Sequence, residues 1–299
     1  MHALHGYLLL DKPAGRTSAQ VVRAISRMTY DARCGHLGTL DPMATGLLVA
    51  CLGDALKLVP FLQKGLKRYI AEVRFGLATD TCDMDGQIVG KAEVPAALQD
   101  RITRVLKRFV GTIQQVPPVF SAIKVKGRRL YKAARKGEEV EAPVREITIQ
   151  DITVVSRRED SVVLDVRCSA GTYIRALARD LGDAVNCPAV LASLRRIESA
   201  PFHLDKAVPF ELLESGREKV QDHIAPLTAY LPNLPHLELS SRQAKLARTG
   251  RPLAELEGIP QGTTLLLDGA GRLIAIGEGE GEPRVMRIRR VFTGPQSEE

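Results

Sequence analysis

Tryptophan is absent from this sequence and the aromatics together make up only 4% of it, which leaves no material for a carbohydrate-type aromatic platform. Cysteine is sparse and scattered. The five, at positions 34, 51, 82, 168 and 187, are odd in number and form no Cys-x-x-Cys pair. That spacing argues against structural zinc and reads as reduced thiols of a cytoplasmic protein. No apolar run approaches the roughly 20 residues that span a bilayer, so no membrane partner is expected. The N-terminal MHALHGYLLLDKPAG lacks a basic start followed by a cleavage site, so Leu8–Leu10 suit a first strand rather than a signal peptide. Missing as well are the Gly-x-x-x-x-Gly-Lys-Ser/Thr phosphate loop, Gly-x-Gly-x-x-Gly and the Gly-x-Ser-x-Gly elbow.

What the chain does have is 299 residues, 44% of them hydrophobic, and a net charge of +7. The length suits one large domain with a small companion. The charge points to a polyanionic partner, although excess charge also serves solubility. Residues 6–10 read as a buried strand ended by the turn Asp11–Gly15, and Ser18 as the N-cap of a helix bearing Val21, Val22, Ile25 and Met28. After a glycine-rich loop at 31–46, the run Leu47–Leu52 suits either a buried strand or a helical turn. Strands are expected at 69–75, 146–155 and 161–168, and helices at 96–110 and 172–186. A stretch rich in proline and charge between about 200 and 235 marks the exit from the main domain. Short strands at 264–267, 273–276 and 285–292 then form a β-rich module. Helices and strands mix without regular βαβ alternation, so the class is α+β, with domains at 1–233 and 234–299.

Candidate chemistry centres on Asp41. Gly35, Gly38 and Gly46 surround it and Pro42 follows, so the loop can hold a carboxylate against a ligand. Taken alone, Leu-Asp-Pro is more commonly a plain turn in which the aspartate bonds its own backbone. Arg175 opens a helix directly after a strand, where the helix dipole mildly disfavours a cation. Paired with Asp41, it would lower that carboxyl's pKa. Tyr69 begins a strand, as a sheet-packing residue or as a ring to stack on a flipped base. His36, Tyr173 and Lys12 carry similar two-way readings, and no pair among them has metal-ligand spacing, so no metal is expected. Asp80–Gly86 superficially resembles a calcium loop. It lacks the later Glu and flanking helices, so a turn or RNA-proximal loop fits better.

The basic stretch is more decisive. Residues 101–145 hold twelve Lys/Arg against three Glu, and Lys124, Lys126, Arg128, Arg129, Lys132, Arg135 and Lys136 crowd into thirteen positions. Such density fits a phosphate backbone better than a solvated loop.

Several segments together resemble a family. Gly35-His36-Leu37-Gly38-Thr39-Leu40-Asp41-Pro42-Met43-Ala44-Thr45-Gly46 is similar to the signature of the TruB family of tRNA pseudouridine synthases. Leu8–Gly15, Lys67-Arg68-Tyr69, Thr79–Gly86, Pro118–Lys124 with Leu130-Tyr131, and Gly171-Thr172-Tyr173-Ile174-Arg175 resemble family segments in the same order. The match runs over about residues 6–200. Each segment is weak alone, but their conjunction is specific.

The resemblance implies a pseudouridine-synthase fold: a central mixed, mainly antiparallel sheet flanked by helices, with an RNA-binding insertion at about 114–140 and a small PUA-like RNA-binding module at 234–299. It implies Asp41 as the catalytic aspartate, Tyr69 as the ring stacked on the target uracil, and Arg175 as the partner of the aspartate. His36 and Lys12 match residues that accommodate the RNA or support the site, Tyr173 lies in the same site, and Lys124, Lys126, Arg128, Arg129 and Lys132 fall in the insertion. The implied substrate is uridine 55 in the T loop of tRNA, flipped out for reaction. The reaction needs no cofactor, since nothing is oxidised or added. A monomer with no obligatory protein partner, acting in the cytoplasm, is expected. The alternatives are a guide-RNA-dependent synthase acting on rRNA and a non-catalytic tRNA-binding or tRNA-folding protein.

Overall fold

The first two long strands carry apolar side chains on both faces. In β1 (Gly6–Lys12), Leu8 and Leu10 enter one apolar cluster while Tyr7 and Leu9 enter a second. The short β2 (Cys34–His36) precedes β3 (Thr45–Leu52), where Leu48, Ala50 and Leu52 join the first cluster and Leu47, Val49 and Cys51 the second. The run Leu47–Leu52 is therefore a strand. Its period of two is invisible in the sequence because both faces are covered. The computed structural model describes residues 4–30, 32–120, 124–125, 128–129, 142–231, 233–254, 256, 258–282 and 284–293.

The sheet continues through β4 (Lys67–Phe75), β5 (Gly111–Gln115), β6 (Arg145–Arg157), β7 (Ser161–Cys168) and β8 (Ala189–Ser199). Its spatial order is β1-β3-β8-β4-β7-β6-β5, with Val208–Pro209 beside β1. Neighbours run antiparallel except for β3 with β8 and β1 with 208–209. The sheet is thus mixed and mainly antiparallel. Strand β8 lies at its centre although the sequence did not suggest it. Two register shifts, at Leu191/Ser193 and Arg196/Glu198, break its alternation, and adjacent Arg195 and Arg196 disguise it further.

One face is covered by helices α1 (Ser18–Met28), α2 (Leu98–Val105) and α3 (Ile174–Val185), which bury Val21, Ile25, Ile102, Leu177 and Leu181 against it. Each such leucine or isoleucine contributes about 2–3 kcal/mol of burial before entropy is charged against it. Thr17 rather than Ser18 is the N-cap of α1. Its side chain accepts from the Gln20 amide, and the Gln20 side chain accepts from the Thr17 amide in return. Ser18 is buried and bonds elsewhere.

A separate four-stranded sheet follows: β9 (His236–Leu239), β10 (Gly262–Asp268), β11 (Leu273–Glu280) and β12 (Val285–Val291), with α4 (Ser241–Arg248) packed on it. The expected module therefore gains one strand and one helix, both too short to show a clear period. Leu265, Leu273, Ile276 and Phe292 pack with Tyr7, Leu9, Leu58 and Phe202 of the larger unit. Polar ties reinforce the junction: Lys57 Nζ donates to the Val291 carbonyl at 2.5 Å, and the Thr293 amide donates to Asp54 at 2.7 Å.

Candidate active site

The loop joining β2 to β3 carries Asp41, and its backbone is tied on every side. The Ser18 hydroxyl donates to the Leu40 carbonyl (3.0 Å) and accepts from the Leu40 amide (2.8 Å). The Pro42 carbonyl accepts from the Gly15 amide (2.8 Å) and from Lys12 Nζ (3.2 Å). Arg196 reaches up from β8: Nη2 donates to the Gly38 carbonyl (3.1 Å), Nη1 to Thr39 (3.3 Å) and Nε to Leu47 (2.8 Å). Gly46 makes this approach possible. It sits at φ +94°, and a Cβ there would stand 2.3 Å from the Arg196 carbonyl oxygen. The arginine is only 2% exposed and, among the described residues, has no carboxylate partner.

Arg175, the second residue of α3, meets Asp41 from the other side. Its Nε lies 2.8 Å from Asp41 Oδ2, and Nη2 donates to Oδ1 at 3.3 Å. The same guanidinium lies 3.3 Å from Asp83 Oδ2 and donates to the carbonyls of Thr81 (3.0 Å) and Phe120 (3.1 Å). Asp83 is in turn held by the Thr81 hydroxyl at 2.5 Å and the Asp85 amide at 3.1 Å. The start of α3 is pinned through the backbone of Tyr173. Its amide donates to the Gln115 side chain (2.9 Å) and its carbonyl accepts from the same carboxamide (3.1 Å). The acidic turn at 80–86 is thus the wall that holds Arg175. Among the described residues, no group of three His, Cys, Asp or Glu stands close enough to hold a metal.

Exposure separates the two carboxylates. The Asp41 side chain is 33% exposed, whereas those of Arg175 and Asp83 are 7% and 6% exposed. Asp41 is the member of this cluster that opens outward. Burial raises its carboxyl above the usual value, Arg175 pulls it back down, and Asp83 adds a further upward push. The net direction is the reverse of what the arginine alone implied, because burial outweighs it.

Tyr69, on β4, lies opposite Arg196 in the strand register, and its ring packs in the helix-covered core. Burial raises its phenol pKa, while the charge of Arg196 and a hydrogen bond from it act in the opposite direction. His36 accepts from the Gly38 amide through Nδ1 at 3.3 Å, and burial holds its imidazole below the ordinary value. Lys12 is fully buried behind the loop. Its ammonium donates to the carbonyls of Pro13 (2.7 Å), Arg16 (2.6 Å) and Pro42, and burial lowers its pKa to about 8. It braces the loop from within, with its protons turned to protein carbonyls.

Asp41 and Arg175 thus come together, with Tyr69 near enough to feel the Asp41 charge, Tyr173 tied through its backbone to Gln115, and His36 and Lys12 bonded within and behind the loop. Arg196, Ser18, Asp83 and Gln115 surround the loop, and none of them was offered as a site residue by the sequence, Ser18 having been read only as a helix cap. Of these, only Asp83 lay in a segment with a signal. For the basic stretch, the backbones of Lys124–Val125 and Arg128–Arg129 pair antiparallel. The side chains of Lys124, Arg128 and Arg129, together with the whole of Lys126 and Lys132, lie outside the described residues.

Comparison with known proteins gives the family by sequence and the fold by structure. The profile for the TruB family pseudouridylate synthase N-terminal domain matches residues 26–174. "tRNA pseudouridine synthase B" of Xanthomonas campestris pv. campestris (strain 8004) is 39% identical over 295 residues, covering 97% of this chain and 95% of the relative. The protein of the same name from Roseobacter denitrificans is 40% identical over 291 residues, covering 95% of each. Among solved structures, a "Cbf5-Nop10-Gar1 Complex" contains a chain that matches with a TM-score of 0.73 at 25% identity, covering 98% of this chain and 87% of that one. With near-complete relatives at this identity and the same clustered segments in the same order, the chain belongs to the TruB family of pseudouridine synthases.

Proposed function

We propose that this protein isomerises uridine to pseudouridine in tRNA, at uridine 55 of the T loop, with Asp41 as the catalytic carboxylate. The observation that carries the reading is the asymmetry of the Asp41–Arg175–Asp83 cluster, in which one carboxylate of an otherwise buried network faces outward. Relatives with nearly the same length bear the name of that activity.

The reaction breaks the N1–C1′ bond, turns the uracil and bonds C5 to C1′. N1 gains a proton, C5 loses one, and nothing external enters. Ionised Asp41 begins either of two routes. It attacks C1′ as N1 departs and is expelled when C5 attacks, or it removes the C2′ proton to leave a glycal and later returns it. Arg175 orients the carboxylate and opposes its protonation. The departing uracil carries negative charge, and buried Arg196 supplies a fixed positive one beside Tyr69. Tyr69 stacks on the flipped base, and Tyr173 lines the same cleft. His36 and Lys12 support the Asp41 loop. Lys124, Lys126, Arg128, Arg129 and Lys132 hold the RNA backbone, and residues 234–299 act as an RNA-binding module. The enzyme acts as a cytoplasmic monomer, needing no guide particle.

The fold shared with the Cbf5 complex favours a second reading, catalysis within a guide-RNA assembly. Tritium release from C5-tritiated uridine in unmodified tRNA decides between them. Release by the isolated protein without guide RNA supports the proposal. Binding without release refutes it.

A further inference from the structure

Two cavities outside the catalytic cleft are lined by arginines that nothing in the site uses. The first, about 430 Å³, runs along the solvent side of α1 between Arg16, Gln20, Arg23, Arg27 and Glu214. The second, about 980 Å³, opens where α1 ends against the C-terminal sheet, and includes Tyr30, Arg33, Lys57 and Arg290. Helix α1 turns Val21 and Ile25 into the core, which leaves Arg23 and Arg27, one helical turn apart, on the opposite face. The rise of a helix spaces them by about 6 Å along its axis.

Among the described residues, the acids that line these cavities are already engaged. Glu214 pairs with Arg16 at 2.7 Å, and Asp54 pairs with Lys57 at 2.5 Å. Among the described residues, Arg23, Arg27 and Arg33 pair with no acid, and neither does Arg290. The row begins at the catalytic loop, because the Arg16 carbonyl shares the Lys12 ammonium with that of Pro42. It ends on β12 of the C-terminal sheet. Tyr30 stands within it just past the end of α1, 79% exposed as a residue.

We infer that this ridge, Arg23–Arg27–Arg33 with Arg290, binds the phosphate backbone of the helical stem that leads away from the reacting loop of the substrate RNA. The inference rests on the proposed activity toward a structured RNA. Unpaired guanidinium groups spaced along a convex helix suit a polyanion rather than a buried ligand, and duplex RNA is recognised mainly through its backbone. The ridge holds the distal RNA, while the cleft reads the flipped nucleotide.

The experiment compares wild type with the triple variant Arg23→Gln/Arg27→Gln/Arg33→Gln on two substrates. One is full-length unmodified tRNA. The other is a minimal hairpin that keeps the reacting loop and only its closing pairs. Three lost phosphate contacts should reduce the slope of log affinity against log salt by about 2–3 for full-length tRNA. Affinity for the minimal hairpin and its turnover at saturation should match wild type. A wild-type salt slope on full-length tRNA would overturn the inference, as would equal weakening on both substrates. Wild-type turnover of the hairpin tests the activity itself, so a failure of the functional reading is seen separately.

Discussion

Arg175 stands between two carboxylates, with its Nε 2.8 Å from Asp41 and its Nη1 3.3 Å from Asp83, and only Asp41 opens toward solvent. A single guanidinium therefore serves two purposes. It fixes the direction of the outward carboxylate, and it limits the rise in pKa that burial imposes on it.

The sign of that effect predicts a pH profile. The proposed reaction needs ionised Asp41, so turnover should fall as pH drops through a carboxyl pKa that burial raises above the ordinary aspartate value. Arg175→Met removes the opposing cation, so the acid limb of kcat should move to higher pH by about 1–3 units. A limb that stays in place would show that Arg175 only packs. Single-turnover rates from pH 4 to 8 make the measurement, scanned in roughly half-unit steps to resolve a shift of that size.

Beyond the charge proposed for it, Arg196 ties down the loop that carries Asp41. Replacing it by Met leaves the carbonyls of Gly38, Thr39 and Leu47 without their donors. The expected loss is about 3 kcal/mol of stability, read from denaturant unfolding. The Arg196→Lys variant keeps charge but cannot span three acceptors. It should remain about 100-fold below wild type in kcat with tRNA affinity retained, because displaced Asp41 is costly. Near-normal kcat in the lysine variant would limit the role of Arg196 to charge.

Ser18 offers a narrower test of the same idea. Its hydroxyl satisfies both the amide and the carbonyl of Leu40, the residue before Asp41. Ser18→Ala should cost about 1–3 kcal/mol in stability. Hydrogen exchange at the Leu40 amide should accelerate while α1 stays protected by its Thr17 cap. Unchanged exchange at Leu40 would contradict the bracing role.

These braces also show what could be read before the structure. The contact between Asp41 and Arg175 was anticipated because several short segments resemble a family together and in order. The long strands were legible wherever one face met solvent, as in β4, where Lys67, Tyr69, Ala71, Val73 and Phe75 alternate with more exposed neighbours. Strand β8 was not, since its two register shifts destroy the alternation that a period search relies on. Arg196 was hidden for the same reason, as a charged residue in an unrecognised strand. Ser18 looked like a cap because its type and position fit one, and only the fold reveals that Thr17 caps and Ser18 reaches Leu40 instead. Contacts between residues far apart in the chain, such as Arg196 with the loop at 38–47, leave no local trace.

The role proposed for Tyr69 separates binding from chemistry. Its ring forms part of the core beside Arg196. Tyr69→Ala should abolish turnover while tRNA affinity stays largely intact, because backbone contacts dominate RNA binding. Tyr69→Phe keeps the ring and removes the hydroxyl. Full activity of the Ala variant would remove Tyr69 from the site.

The most direct test concerns Asp41 itself. Asp41→Asn preserves shape and removes the charge that either route requires. Wild type and variant are compared by tritium release from C5-tritiated tRNA, with tRNA binding measured on the same preparations. The account predicts release by wild type and none by Asp41→Asn, with both binding tRNA. Equal release by the two proteins would contradict it.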